Sequence, residues 1–184
     1  MLPPGHLAAG YITARIVTSS LHYDLTVHQV NVLTLLGMFF AFAPDLDFFV
    51  AFAKTKSFRI ENDKVIHRKF WSHAPILWLV AGLLIFFLAQ SPFYKTLGLL
   101  IWLCSWTHFI CDSEWGIMWL WPFKKRLYPF SEKYYERKYA QESPEKNGSG
   151  FFRYWFKIIW NEYTKRKGYI EIILIIAAII IAAH

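Results

Sequence analysis

Residues 73–112 read HAPILWLVAGLLIFFLAQSPFYKTLGLLIWLCSWTHFICD, two apolar runs joined by the short break Ser91-Pro92-Phe93-Tyr94-Lys95. The runs, 74–90 and 96–111, are each about the length that crosses a bilayer core, if a little short. A break this tight folds them into a helical hairpin whose outer ends lie on one side of the membrane. Those ends carry His73 ahead of the first run, and His108 and Asp112 at the close of the second. Outward from the hairpin, residues 169–183 form a third strongly apolar run. Residues 31–43 and 7–21 are shorter and less uniform, and Arg15 lies inside the latter. Pro44 ends the run 31–43, because proline disfavours helix at the residue before it and suits the first turn of a new helix, here 45–53. A broken helix is therefore expected at Pro44. The predicted fold is all-α: a polytopic membrane helical bundle with about five membrane helices, some short or broken, and an interfacial amphipathic helix.

Composition agrees. Hydrophobic residues make up 55% of the 184, aromatics 20% and charges 18%, apolar-rich and charge-poor beside a soluble domain. A lipid-facing surface accounts for the excess. The net charge of +7 is unevenly spread: residues 54–73 and 113–168 hold 18 of the 20 lysines and arginines, and residues 21–30 hold none. By the positive-inside rule the two long loops face the cytoplasm. Their expected partners are anionic lipid headgroups rather than nucleic acid. Cys104 and Cys111 share one apolar run, which excludes a secreted disulfide framework. The first residues lack a basic segment ahead of an apolar core, so no cleaved signal peptide is expected. Residues 1–139 are expected to form a membrane-embedded metal-site domain. Residues 140–150 (AQESPEKNGSG) read as a flexible linker, and 151–184 as the interfacial amphipathic helix, spanning 151–167, followed by the last membrane helix.

Traced outward from the hairpin, this topology places His6, Asp45, Asp47, His67, His73, His108 and Asp112 near one membrane face. Ionisable groups at membrane depth are costly unless paired, hydrated or bound to metal. His108 and Asp112, four apart on one helix, point the same way and can close on one cation, although a plain helix-helix clamp uses the same spacing. Asp45 and Asp47 stand in the first turn of the helix after Pro44, where the dipole favours negative charge. Two carboxylates exceed what a cap needs, so one is free to ligate while the other orients a ligand or bridges metals. His67 and His73 bracket a loop or bend, and Ser72 is placed to cap the helix that follows. Arg68 suits bidentate contact with a phosphate, as well as with anionic lipid. His22, His28 and His184 fall outside the group. Imidazole with carboxylate suits zinc first, and manganese or iron as well. Four histidines and three aspartates exceed one tetrahedral site, which leaves two ions or one ion with supporting residues.

The motifs PPGHLAAG at His6, FAPDLDFF at Asp45 and Asp47, HRKFWSHAP at His67 to His73, and SWTHFICD at His108 and Asp112, followed by GIMWLWPF, resemble in order and spacing the YdjM-like membrane-bound metal-dependent hydrolases. The likeness covers roughly the first two thirds of the chain. It implies a small bacterial inner-membrane protein with hydrolase activity. The expected reaction is metal-assisted hydrolysis of a lipid-like ester or phosphoester at the cytoplasmic face, with Arg68 and Asp47 as candidate catalytic groups. The alternative is a non-enzymatic membrane scaffold or partner-binding protein in which the same cluster holds short helices together.

Overall fold

Proline stands in the first turn of three of the long helices, where its missing N–H has no intrahelical partner to lose. The computed structural model describes residues 1–56, 61–62, 65–129, 151–164 and 166–183. Its helices are α1 (Pro3–Ser20), α2 (Val27–Phe42), α3 (Asp47–Thr55), α4 (Pro75–Leu88), α5 (Pro92–Cys111), α6 (Phe151–Thr164) and α7 (Arg166–Ala183). The linker expected at 140–150 lies outside the described residues, as does part of the basic loop before it. Among the described residues the extended structure amounts to a two-residue antiparallel pair, Glu61–Asn62 with Val65–Ile66, and a bridge between Ile117 and Tyr128 that folds the chain after α5 back on itself.

The sequence signals for helix ends differ in how they are met. Thr26 and Gln29 form a reciprocal capping box at the start of α2, and Ser91 caps α5 through the Tyr94 amide. At Pro44 the expected break is present as a 3-10 turn, Ala43–Leu46, that separates α2 from α3 and leads directly into the latter. Proline removes one hydrogen bond there, and the tightened turn carries the helical path through. Val27–Lys54 is consequently the one described helix long and apolar enough to cross a membrane. The runs that read most clearly as spans give shorter apolar helices, Pro75–Leu88 and Gly168–Ala183. At 1.5 Å per residue the former is about 21 Å long, less than the roughly 30 Å hydrocarbon core. Length and apolarity thus support a helical membrane protein with one clear span, fewer than the sequence suggests.

Packing follows small residues. α1, α2 and α5 meet over Ala14, Val17, Leu33, Ala41, Leu100 and Cys104. A Cβ added at Gly10 would sit 2.6 Å from the Ala41 Cβ, and one at Gly37 would sit 2.6 Å from the Ala14 Cβ. The α4–α5 hairpin is closer still: a Cβ at Gly82 would lie 2.5 Å from the Gly98 carbonyl oxygen. Close backbone approach of this kind is how helices associate in lipid, where burial of apolar surface gives little net drive. α7 packs on α1 and α6 on α7, so the last helix rests against the first.

Candidate metal centre

One end of the bundle gathers the start of α1, the α2–α3 junction, the turn before α4 and the end of α5. His6 lies in the first turn of α1, which begins at Pro3 and so takes in a residue that the apolar run alone left outside. Asp45 sits in the 3-10 turn after α2, Asp47 opens α3, and His73 ends the 3-10 turn Trp71–His73. His108 is in the last turn of α5, and Asp112 is its C-cap residue.

His6, His73 and His108 are fully buried and Asp112 almost so, whereas the Asp45 side chain is 21% exposed. Asp45 Oδ1 lies 3.5 Å from His108 Nε2 and 3.6 Å from His73 Nε2, and Asp45 Oδ2 lies 4.0 Å from His6 Nε2. His6 Nε2 is 3.3 Å from Asp112 Oδ1. Two groups have ligand atoms mutually within 4.8 Å: His6, His108 and Asp112, and Asp45, His73 and His108. Donors about 2.0–2.2 Å from a tetrahedral zinc ion stand about 3.3–3.6 Å from one another. The spacings here suit a shared cation.

Tautomers sharpen the point. The Nδ1 of His108 is 2.9 Å from the Ala41 carbonyl oxygen. A carbonyl only accepts, so Nδ1 carries a proton and the neutral ring turns the lone pair of Nε2 towards Asp45. That Nε2 is buried without a hydrogen-bond partner among the described residues, as are both ring nitrogens of His6. The two rings stack with centroids 4.1 Å apart, an approach that two imidazolium ions would resist. His73 is held differently: its Nδ1 is 2.7 Å from Asp47 Oδ2, which also accepts the Ser72 hydroxyl at 2.6 Å. Asp47 therefore stands behind His73, the position of a carboxylate that orients a metal-binding imidazole.

A family model described as YdjM inner membrane protein matches residues 1–184, the whole chain. The chain belongs to the YdjM inner membrane protein family. No curated protein and no solved structure matches it. Inner-membrane location comes with the family, and the Val27–Lys54 helix is consistent with it.

In this YdjM-family protein five of the seven metal candidates read from the sequence, His6, Asp45, His73, His108 and Asp112, fall into two adjoining groups that share His108. Asp47 supports one of them. The backbone of His67 starts the 3-10 turn His67–Lys69, and its side chain lies outside the described residues. Arg68 is buried and donates from Nη2 to Asp112 Oδ2 at 2.8 Å, so it braces a carboxylate of the cluster. The Met1 amino group is 2.8 Å from the other oxygen of Asp112. Burial alone would raise the Asp112 pKa, but the Met1 ammonium, Arg68 and His6 outweigh it and hold the group well below the usual carboxylate range. Burial likewise pushes the His73 pKa down, and hydrogen bonds and charge from Asp45 and Asp47 reverse this, raising it to about 9. Sequence reading missed the Ala41 carbonyl, which backbone chemistry hides from any motif. It also missed Glu171, a buried carboxylate in the last apolar helix. The rule that made Asp45 a candidate, an ionisable group at membrane depth, marks Glu171 too.

Proposed function

We propose that this cluster is a divalent metal centre and that the protein is a membrane-bound metal-dependent hydrolase. The observation that carries the reading is the pair formed by His108 Nε2 and Asp45 Oδ1, two electron-rich atoms 3.5 Å apart with the ring's proton committed to Ala41 on the opposite side. A cation between them removes the mismatch. Both candidate groups include His108, whose Nε2 offers a single lone pair, which favours one ion over two. Zinc suits the donor set best, with manganese or iron admitted by the carboxylates.

A bound cation would supply Lewis acidity and a nucleophile available at neutral pH. The chain's own groups do the rest. Ala41 and Asp47 fix the faces that His108 and His73 present, and Arg68 fixes Asp112. Asp47 Oδ1 is buried without a hydrogen-bond partner among the described residues, which leaves it available to accept a proton. Asp45, the most exposed member, marks the approach for substrate. Loop charge supports a cytoplasmic position for this end, and two apolar helices too short to span on their own, Pro75–Leu88 and Gly168–Ala183, support a substrate with a headgroup at the surface and chains in lipid. A lipid-like carboxylate ester or phosphoester fits that setting. Exposed Phe152, Phe156, Ile159 and Trp160 share one side of α6, which supports an interfacial seat for this helix and anionic lipid as partner to the basic loops.

The burial of the other four ligand candidates favours a second reading, a closed structural site, since catalytic sites keep a position open. Purified protein loaded with Zn(II) or Mn(II) and assayed in mixed micelles on amphiphilic esters and phosphoesters separates the two. The hydrolase reading expects turnover that chelator abolishes and Asp45→Asn lowers at least about a hundredfold. Stoichiometric metal without turnover on either ester class, and without exchangeable water at bound Mn(II), supports the structural site.

A further inference from the structure

The first turn of α1 has no side-chain cap of its own. Leu2 occupies the N-cap position, where its side chain can accept nothing. Unpaired amides at a helix start need an acceptor from somewhere. It comes from the far end of the chain: Glu171 Oε2 accepts from the Leu2 amide and Oε1 from the Gly5 amide, each at 3.2 Å, the Gly5 amide being shared with the Leu2 carbonyl oxygen at 3.0 Å. Tyr163 donates its hydroxyl to Oε1 at 3.1 Å. Glu171 is 1% exposed and stands in an otherwise apolar stretch of α7, where an unpaired carboxylate would be costly. The positive end of the α1 dipole and three donors offset that cost. Gly5 makes the approach possible, since a Cβ there would lie 2.7 Å from Glu171 Cγ. The next residue is His6.

We propose that Glu171 is the positioning residue for His6: the last helix caps the first and holds its opening turn where the imidazole faces Asp112 and His108. The inference rests on the metal reading of the cluster. It makes metal affinity depend on α7, a segment that contributes no ligand candidate.

The test uses the full-length protein in detergent, with Co(II) as probe, comparing wild type, Glu171→Ala, Glu171→Gln, His6→Ala and the double variant His6→Ala with Glu171→Ala. Glu171→Ala is expected to weaken Co(II) binding about ten- to a hundredfold, the range for groups that orient ligands, and to shift the Co(II) absorption towards that of His6→Ala. Glu171→Gln keeps one accepting oxygen in place and should recover part of the loss; it also carries the test if the alanine variant does not fold. In the His6→Ala background, loss of Glu171 should cost nothing further. Wild-type affinity and spectrum in both Glu171 variants, or losses that simply add to that of His6→Ala, overturn the proposal. Amide exchange of Leu2, Gly5 and His6 in metal-free protein separates the two readings. A wild type that binds no Co(II) sinks the metal centre, whereas exchange unchanged by Glu171→Ala sinks the cap itself.

Discussion

A buried imidazole has two nitrogens to satisfy, and the histidines of this cluster do so in three ways. His108 gives one proton to a backbone carbonyl, His73 leans on Asp47, and His6 has neither support among the described residues. These differences set the expected consequences of substitution. Asp47→Ala should leave the fold and the metal stoichiometry intact but weaken metal binding about ten- to a hundredfold, read by competition with a chelating dye, because it frees a ring rather than deleting a ligand. The pH dependence has opposite signs with and without metal. In the metal-free protein the raised His73 pKa contributes stability that is fully present below its ordinary value of 6.5 and is lost as pH rises through about 9. Metal needs the neutral ring, so loading tightens over the same interval and releases protons. Thermal unfolding of the metal-free protein in detergent should therefore show a midpoint that falls from pH 6.5 to 9, while metal-loaded protein shows no such fall. At this scale the sequence was half legible. The i, i+4 spacing of His108 and Asp112 identified both residues, but each finds its partners on other helices. Asp45 serves His108, and His6 with Arg68 serves Asp112. Pairing across elements leaves no trace in local spacing.

Among the elements, the hairpin of α4 and α5 was the most legible, since two apolar runs around Ser91-Pro92 permit little else. Its tightness was not. That depends on Gly82 and Gly98 facing each other, each with a backbone oxygen where the other's Cβ would be. Gly98→Leu should force the pair apart, destabilising the protein by about 1–3 kcal/mol or more, and since His73 lies in the turn that leads into α4 and His108 in the last turn of α5, metal affinity should drop with it. A Gly98→Leu variant with wild-type thermal stability and metal affinity would remove this crossing from the account. The break expected at Pro44 takes the form of a 3-10 turn, which ends α2 and leads straight into α3. The same turn puts Asp45 in the cluster and leaves Asp47 to support His73. For α6, the row Phe152, Phe156, Ile159 and Trp160 is expected to lie at headgroup depth. A spin label at position 156 should contact lipid-soluble relaxant more than aqueous relaxant, and the reverse result contradicts an interfacial seat.

Across the whole molecule, what the sequence made readable was which helix ends gather at one end of the bundle. Alternation of direction through α1, α2, α4 and α5 brings four ends together, and that follows from counting turns. How deep each helix sits did not follow, because hydropathy measures the apolar run and not where capping and packing stop the helix; α4, read as a clear span, is 14 residues long. Nor did the contribution of the last helix follow, since Glu171 reaches α1 across 166 residues of sequence. On the proposed reading these distant segments fold to hold one divalent cation. Elemental analysis of purified full-length protein measures that most directly. It is predicted to find one zinc-class ion per chain in wild type, retained in His22→Ala, which lies outside the group, and lost in His108→Ala, which belongs to both halves of the cluster. Protein without stoichiometric metal after loading, or equal metal in His108→Ala, would contradict it.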